Sequence, residues 1–217
     1  MELSILQLVA VYAIPVILAI TLHEAAHAFV ASRLGDRTAE AMGRVTINPV
    51  KHVDPVGTLL VPGLILLASK AMGGGLLFGW AKPVPVIASN LRSPRRDMGL
   101  VAAAGPGANM LMALAWAVAL RGMVAFDVGE EYFVLVAKAG VQVNIALAAL
   151  NLVPILPLDG GRVLFSLLPA KLALPYARLE PFGLFIVLGL LALGLLGVVV
   201  SPLIDLGYWI VASLVFF

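Results

Sequence analysis

The stretch Leu3 to Asp36, LSILQLVAVYAIPVILAITLHEAAHAFVASRLGD, decides between a soluble fold and a membrane fold. It carries no charge from Leu3 to Leu22, then sets His23, Glu24 and His27 within little more than one turn and leaves through Arg33. Such a run meets the roughly 20 apolar residues a spanning helix requires and is too long for a signal-peptide core. It also continues into His23 and Glu24 with no small-residue cleavage pattern, so a retained helix over about residues 3–34 is expected. At roughly 1.5 Å per residue this helix exceeds the ~30 Å hydrocarbon core, which predicts tilt or a bend at Pro15.

The rest of the chain is of the same kind. Uncharged runs extend from Met98 to Leu120, Ala139 to Leu158 and Pro181 to Ile204, with a shorter one from Pro55 to Ser69. Of the 217 residues, 62% are hydrophobic and 12% charged, against roughly 45–50% and 25% in a soluble domain, so the bilayer is the expected solvent. The net charge of +2 is small and the basic residues sit in short loops, which points to membrane topology and away from nucleic acid. With no cysteine, disulfides and thiolate metal sites are excluded, and any metal must be held by His, Asp or Glu.

Positive charge near the ends of spans marks the cytoplasmic side. Arg37, Arg44 and Lys51 follow the first helix, Arg92, Arg95 and Arg96 precede the Met98 helix, and Arg162, Lys171 and Arg178 follow the next. These three groups are expected inside; the N-terminus and the acidic Arg121 to Glu131 loop are expected outside. A cell-membrane, multi-pass protein results, with its polar turn nearer the cytoplasmic face. The stretch between the first two inside loops must then either cross twice or enter and leave by one face, and the second is the favoured reading. It contains Gly73, Gly74 and Gly75 and then Phe78-Gly79-Trp80-Ala81-Lys82-Pro83-Val84-Pro85, whose prolines forbid a continuous helix. A re-entrant β-hairpin or loop within residues 37–90 is expected, lining an internal site because bare backbone is not tolerated against lipid. After Pro181, one or two helices are expected, interrupted at Ser201-Pro202 and Asp205. The whole reads as an all-α polytopic membrane protein of one domain, residues 1–217. Five to six transmembrane helices surround a three-helix core of about residues 1–34, 98–124 and 131–170, with accessory helices over 181–217.

Residues four apart share a helix face, so His23 and His27 can present imidazole nitrogens to one zinc ion. Glu24 in the HExxH arrangement then stands beside the metal as a general base. Ionisable groups inside spans cost about 2.5–3.5 kcal/mol on insertion scales for Asp, Lys or Arg and usually mark function. A catalytic zinc takes three protein ligands and keeps one position open. Asp159 and His52 are the candidates for the third ligand. Asp159 lies where Pro154, Pro157, Gly160 and Gly161 break a long apolar run, and its alternative role is to cap the helix that resumes at Arg162. His52 lies in a loop expected at the surface, in a regulatory or structural role. Asn109, Asn144 and Asn151 lie on expected spans, either as interhelical hydrogen-bonding groups or as substrate-binding and oxyanion-stabilising groups, with Asn151 the favoured one.

Taken together, the motifs resemble the site-2 protease family of intramembrane zinc metalloproteases, in particular its small prokaryotic members. The resemblance rests on Leu22-His23-Glu24-Ala25-Ala26-His27-Ala28 running into Leu34-Gly35-Asp36, on Asn48-Pro49 through His52, Asp54-Pro55 and Gly57-Thr58, and on the Phe78 to Pro85 stretch. Gly105-Pro106-Gly107, Asn109, Asn151, Pro154 and Leu158-Asp159-Gly160 continue it in order. It implies one Zn2+ per chain held by His23, His27 and Asp159, with Glu24 as base. It also implies hydrolysis of peptide bonds within or beside transmembrane segments of membrane-protein substrates, by regulated intramembrane proteolysis. The PDZ or CBS domains that family members often carry are not found in these residues, so a separate substrate-recognition or regulatory membrane protein is an expected partner. The rival of a different class is a non-proteolytic metal-binding scaffold or transporter, which has no use for Glu24.

Overall fold

The computed structural model describes residues 4–52, 83–127 and 130–216, and all regular structure among them is helical. Helix α1 (Ile5–Leu34) begins at Ser4, whose hydroxyl and backbone exchange hydrogen bonds with Gln7 in a capping box. It ends at Gly35, whose φ of 119° is left-handed and lets its N–H return to the last turn. Its 30 residues measure about 45 Å, long enough to cross a bilayer at a tilt. A single turn, α2 (Thr38–Ala41), and a 3-10 turn (Pro49–Lys51) follow. The expected re-entrant hairpin falls largely on residues 53–82, which lie outside the described residues, as do the Pro55 to Ser69 run and the Phe78 to Lys82 part of its motif.

The chain is described again from Pro83, as a non-helical strap of residues 83–87 and a 3-10 turn (Ala88–Asn90). Helix α3 (Pro94–Ala125) starts with proline in its first turn, where no N–H is needed, and a buried Asp97 carboxylate accepts from the Ser93 N–H. Helix α4 (Glu131–Asn151) returns beside it, packed so closely that a Cβ on Gly140 would overlap the Trp116 ring. Then come α5 (Asp159–Leu167), the pair α6 (Ala170–Ala177) and α7 (Glu180–Ala192), bent by 69° against each other, and α8 (Leu195–Val215).

Contacts fix the directions. Tyr12 Oη donates to Gln142 and Tyr132 Oη to the Ala10 carbonyl, so α1 and α4 run parallel. His27 meets Val101 while Ala19 meets Asn109, so α3 runs against α1. Arg121 donates to the Val215 carbonyl and Gly207 abuts Ile145, so α8 runs with α3. The N-terminus of α1 and the α3–α4 loop therefore share one side, and the arginine-rich ends share the other, as the charge pattern predicts.

Four of these helices are long and apolar enough to span, and the bent pair counted as a fifth reaches the lower end of the expected five to six. Helices α1, α3 and α4 form the three-helix core. One expectation is corrected: Ser201-Pro202 and Asp205 do not interrupt the tail, since α8 runs through all three and the break falls at Gly194, with φ 70°. Proline is tolerated there because neighbouring groups re-satisfy the freed backbone of a membrane helix. Beside it, the Ser201 hydroxyl donates to the Gly197 carbonyl.

Candidate metal centre

His23 and His27 point from α1 into the three-helix core, each 8% exposed. Their Nδ1 atoms are already engaged. His23 Nδ1 lies 2.6 Å from Asn109 Oδ1, and His27 Nδ1 lies 2.7 Å from the Val101 carbonyl. A carbonyl only accepts, so His27 Nδ1 carries the proton. For His23 the same follows from Asn109, whose Nδ2 donates to Ala19 O and to Asn144 Oδ1, leaving Oδ1 to accept. In both neutral rings the proton is thus on Nδ1 and the lone pair on Nε2, the arrangement outer hydrogen bonds give metal-binding histidines.

Those two lone pairs face each other with the Nε2 atoms 3.0 Å apart. The third corner is Asp159, the first residue of α5, whose Oδ2 lies 3.2 Å from His23 Nε2 and 3.3 Å from His27 Nε2. Asp159 does not cap its helix; Leu158 holds that position. The buried Oδ2 has no hydrogen-bond donor. Two lone pairs and a carboxylate oxygen converging on one point are mutually repulsive unless a cation sits among them. Zinc bonds of about 2.0–2.2 Å in a tetrahedron place ligand atoms roughly 3.3–3.6 Å apart, close to the edges found here. The donor set fits zinc, and among the described residues it is the one His/Asp/Glu group of this kind.

Glycines permit the approach. A Cβ on Gly105 of α3 would overlap His27 Nε2 and lie 2.6 Å from His23 Cε1, so the imidazoles rest on bare α3 backbone. A Cβ on Gly160 or Gly161 would strike the backbone of residues 152–156, so only glycine lets the loop between α4 and α5 fold back and aim Asp159 inward. Gly105 and Gly160 sit inside motifs visible in the sequence; what each touches is not.

Glu24 stands apart from the three converging atoms. Its Oε2 accepts from the Val84 N–H at 2.9 Å, so the strap lies against it. Arg44, 7% exposed, donates to the Pro83 carbonyl at 2.8 Å, and buried Asp36 accepts from the Ile87 N–H at 2.6 Å. Val84 lies in the stretch expected to line an internal site, whereas no role at the site was assigned to Asp36 or Arg44. Asp36 and Arg44 carry side-chain signals in the sequence, whereas a backbone amide carries none.

The three asparagines fall into two groups. Asn109 and Asn144 are fully buried and form a relay to His23, ending where Asn144 Nδ2 donates to its own helix at Gly140. Asn151, the favoured candidate, donates to Leu147 one turn back in α4. His52 is not at the surface: it is fully buried, with Nε2 against the Thr46 carbonyl, because the loop it occupies folds onto α1 and turns the ring inward. It is not part of the three-residue group.

The profile of peptidase family M50 matches residues 122–194, the part of the chain that supplies Asp159. The chain is 35% identical over 210 residues to the Bacillus subtilis protein named "Putative zinc metalloprotease YwhC", covering 93% of this chain and 89% of that one. It is 30% identical over 181 residues to the "Putative zinc metalloprotease Rip2" of Mycolicibacterium smegmatis, covering 81% of this chain and 64% of that one. Against the protein of the same name from Mycobacterium tuberculosis, identity is 34% over 167 residues, 76% of this chain and 54% of that one. No solved structure matches.

Proposed function

The chain belongs to peptidase family M50, the site-2 protease family of zinc metalloproteases, and from that premise we propose that it hydrolyses peptide bonds within or beside transmembrane segments of other membrane proteins. The observation that carries this reading is the convergence of His23 Nε2, His27 Nε2 and Asp159 Oδ2 inside a bundle of apolar helices, with Glu24 next in sequence to the first ligand. His23, His27 and Asp159 hold one Zn2+ per chain, which when bound supplies Lewis acidity to a water and to the scissile carbonyl. Glu24 takes the proton from the attacking water and delivers it to the leaving nitrogen. Asn109 and Val101 hold the two imidazoles in the ligating tautomer.

The protein sits in the cell membrane with its N-terminus outside and the site nearer the cytoplasmic face, an orientation supported by the arginines at one end of α1 and α3. The amides of a substrate helix are shielded by their own hydrogen bonds, so the substrate unwinds locally before attack. Pairing of the unwound segment through the amides of residues 83–85 is disfavoured, since Pro83 and Pro85 have no N–H and the Val84 N–H is held by Glu24. A separate membrane protein selects or presents the substrate, and cleavage is regulated through it. The rival transporter reading requires several ligand groups along a path, whereas the described residues offer one.

The test is cleavage of a panel of single-span substrates by purified, zinc-loaded protein in liposomes. Cuts within or next to the span are expected. Cuts confined to soluble loops far from the bilayer, or zinc uptake into sealed vesicles with no cutting, would remove this reading.

A further inference from the structure

The strap of residues 83–87 touches the site at one point, and its fastening lies elsewhere. Val84, 9% exposed, packs on Ala28 of α1 and Ala39 of α2, and its N–H reaches Glu24 Oε2. Apolar packing of two small contacts sets the depth of the strap and says little about its register along α1. Register comes from polar fastenings on either side of Val84. Upstream, Arg44 Nη1 holds the Pro83 carbonyl. Downstream, Asp36 Oδ2 accepts from the Ile87 N–H at 2.6 Å, while Oδ1 accepts from Thr38 N and Oγ1 and from Asn90 Nδ2. Asp36 is fully buried, every oxygen is occupied, and it stands just past the Gly35 turn that ends α1. The turn is locked on its other face, where the Arg92 N–H donates to the Leu34 carbonyl and a Cβ on Gly35 would sit 2.9 Å from the Asn90 carbonyl.

One consequence is geometric. Glu24 is at the level of the ligands on α1, and Asp36 is beyond the helix end, yet both carboxylates grip the same five-residue strap at amides three positions apart. We propose that Asp36 is a positioning residue of the catalytic centre: by fixing the Ile87 amide it sets the strap so that the Val84 amide holds the Glu24 carboxylate in its working orientation. This rests on Glu24 being the base. Asp36 touches neither the ligands nor any reacting atom and acts through backbone.

Asp36→Asn tests it with minimal change of shape, because a carboxamide keeps one accepting oxygen for Thr38 and Asn90 and turns an NH2 toward the Ile87 N–H. Val84→Pro removes the amide that Glu24 uses. Three readouts are taken on full-length, zinc-loaded protein: zinc stoichiometry, kcat and KM on a cleaved single-span substrate, and hydrogen exchange of the Val84 and Ile87 amides. Asp36→Asn is expected to keep zinc at the wild-type ratio, lower kcat at least tenfold with KM within about twofold, and speed exchange at both amides at least tenfold while α1 amides are unchanged. The double variant is expected to have the kcat of Val84→Pro alone, since both changes break one linkage. Unchanged exchange at Val84, multiplying effects in the double variant, or a loss of zinc that explains the loss of rate would each overturn the proposal. Should wild type bind zinc and cut nothing, the proteolysis reading fails by itself, and the exchange experiment still decides whether Asp36 governs the Val84 amide.

Discussion

Asn109 Oδ1 and His23 Nδ1 are 2.6 Å apart, and this bond joins the centre of α3 to the ligand face of α1. Partners of this kind fix the tautomer of a ligating histidine, and their loss costs about 10–100-fold in metal affinity. Asn109→Leu is therefore expected to weaken zinc binding by that factor in a chelator competition, with Asn144→Ala showing a smaller effect in the same direction. Equal affinity in wild type and Asn109→Leu would mean that the relay only packs helices.

Glu24 and Asp159 separate base from ligand. Glu24→Gln is expected to retain one zinc per chain while kcat falls by about 10²–10⁴, the usual share of a positioned base. Asp159→Ala removes one of three ligand atoms and is expected to lose both metal and cleavage. Undiminished cutting by Glu24→Gln would end the general-base assignment.

Gly105→Ala places a methyl group where the two imidazoles lie, whereas Gly107, one turn-fraction along the same helix, faces open space. The first substitution is expected to abolish zinc binding and the second to leave it within about twofold of wild type. Metal content by mass spectrometry under native conditions compares them directly.

Burial alone would raise the Asp36 carboxyl, but hydrogen bonds from Thr38, Ile87 and Asn90 outweigh it and hold the group below the ordinary aspartate value. A lowered folded-state value means that the unfolded chain binds the proton more readily. The stability it contributes is present above about pH 3.9 and is lost as pH falls through the folded value. Acid unfolding in micelles, followed by circular dichroism, is expected to show wild type more stable than Asp36→Asn near neutrality, with the gap closing as pH falls below the ordinary aspartate value. A gap constant across that range would show that the ionised form is not what the folded state prefers.

Asp205 lies near the middle of α8, exposed on a helix that otherwise reads as lipid-facing. A carboxylate at the centre of a span costs about 3 kcal/mol on insertion scales. Asp205→Leu is expected to raise the membrane-inserted fraction of α8 in a glycosylation-based insertion assay, without changing zinc content.

The convergence of His23, His27 and Asp159 was legible because it is written in spacing. His23 and His27 share a face by helical period alone, and Asp159 stands where two prolines and two glycines break an apolar run. The sequence pattern also predicts the shared side of the N-terminus and the α3–α4 loop, since arginines mark the opposite ends. What escaped reading depends on partners that leave no residue signature. The Val101 carbonyl and the Val84 amide are backbone groups, and Asp36 looks like any aspartate after a helix-ending glycine until the strap is seen against it. His52 was misplaced for a related reason: a polar loop reads as exposed, and nothing local tells that it folds back onto α1. Pro202 misled because proline, which costs a helix one N–H bond and a ring clash, is tolerated in a membrane helix where neighbouring groups re-satisfy the freed backbone.

The metal-binding atoms belong to α1 and to the start of α5, with α3 and α4 between them in the chain. During synthesis, the histidine pair enters the bilayer long before its carboxylate has left the ribosome. A nascent chain halted anywhere before Asp159 holds two of the three converging atoms beside a glutamate, one short of the set a zinc ion takes. The three-atom cluster is therefore complete only after the three-helix core has been threaded and closed around it.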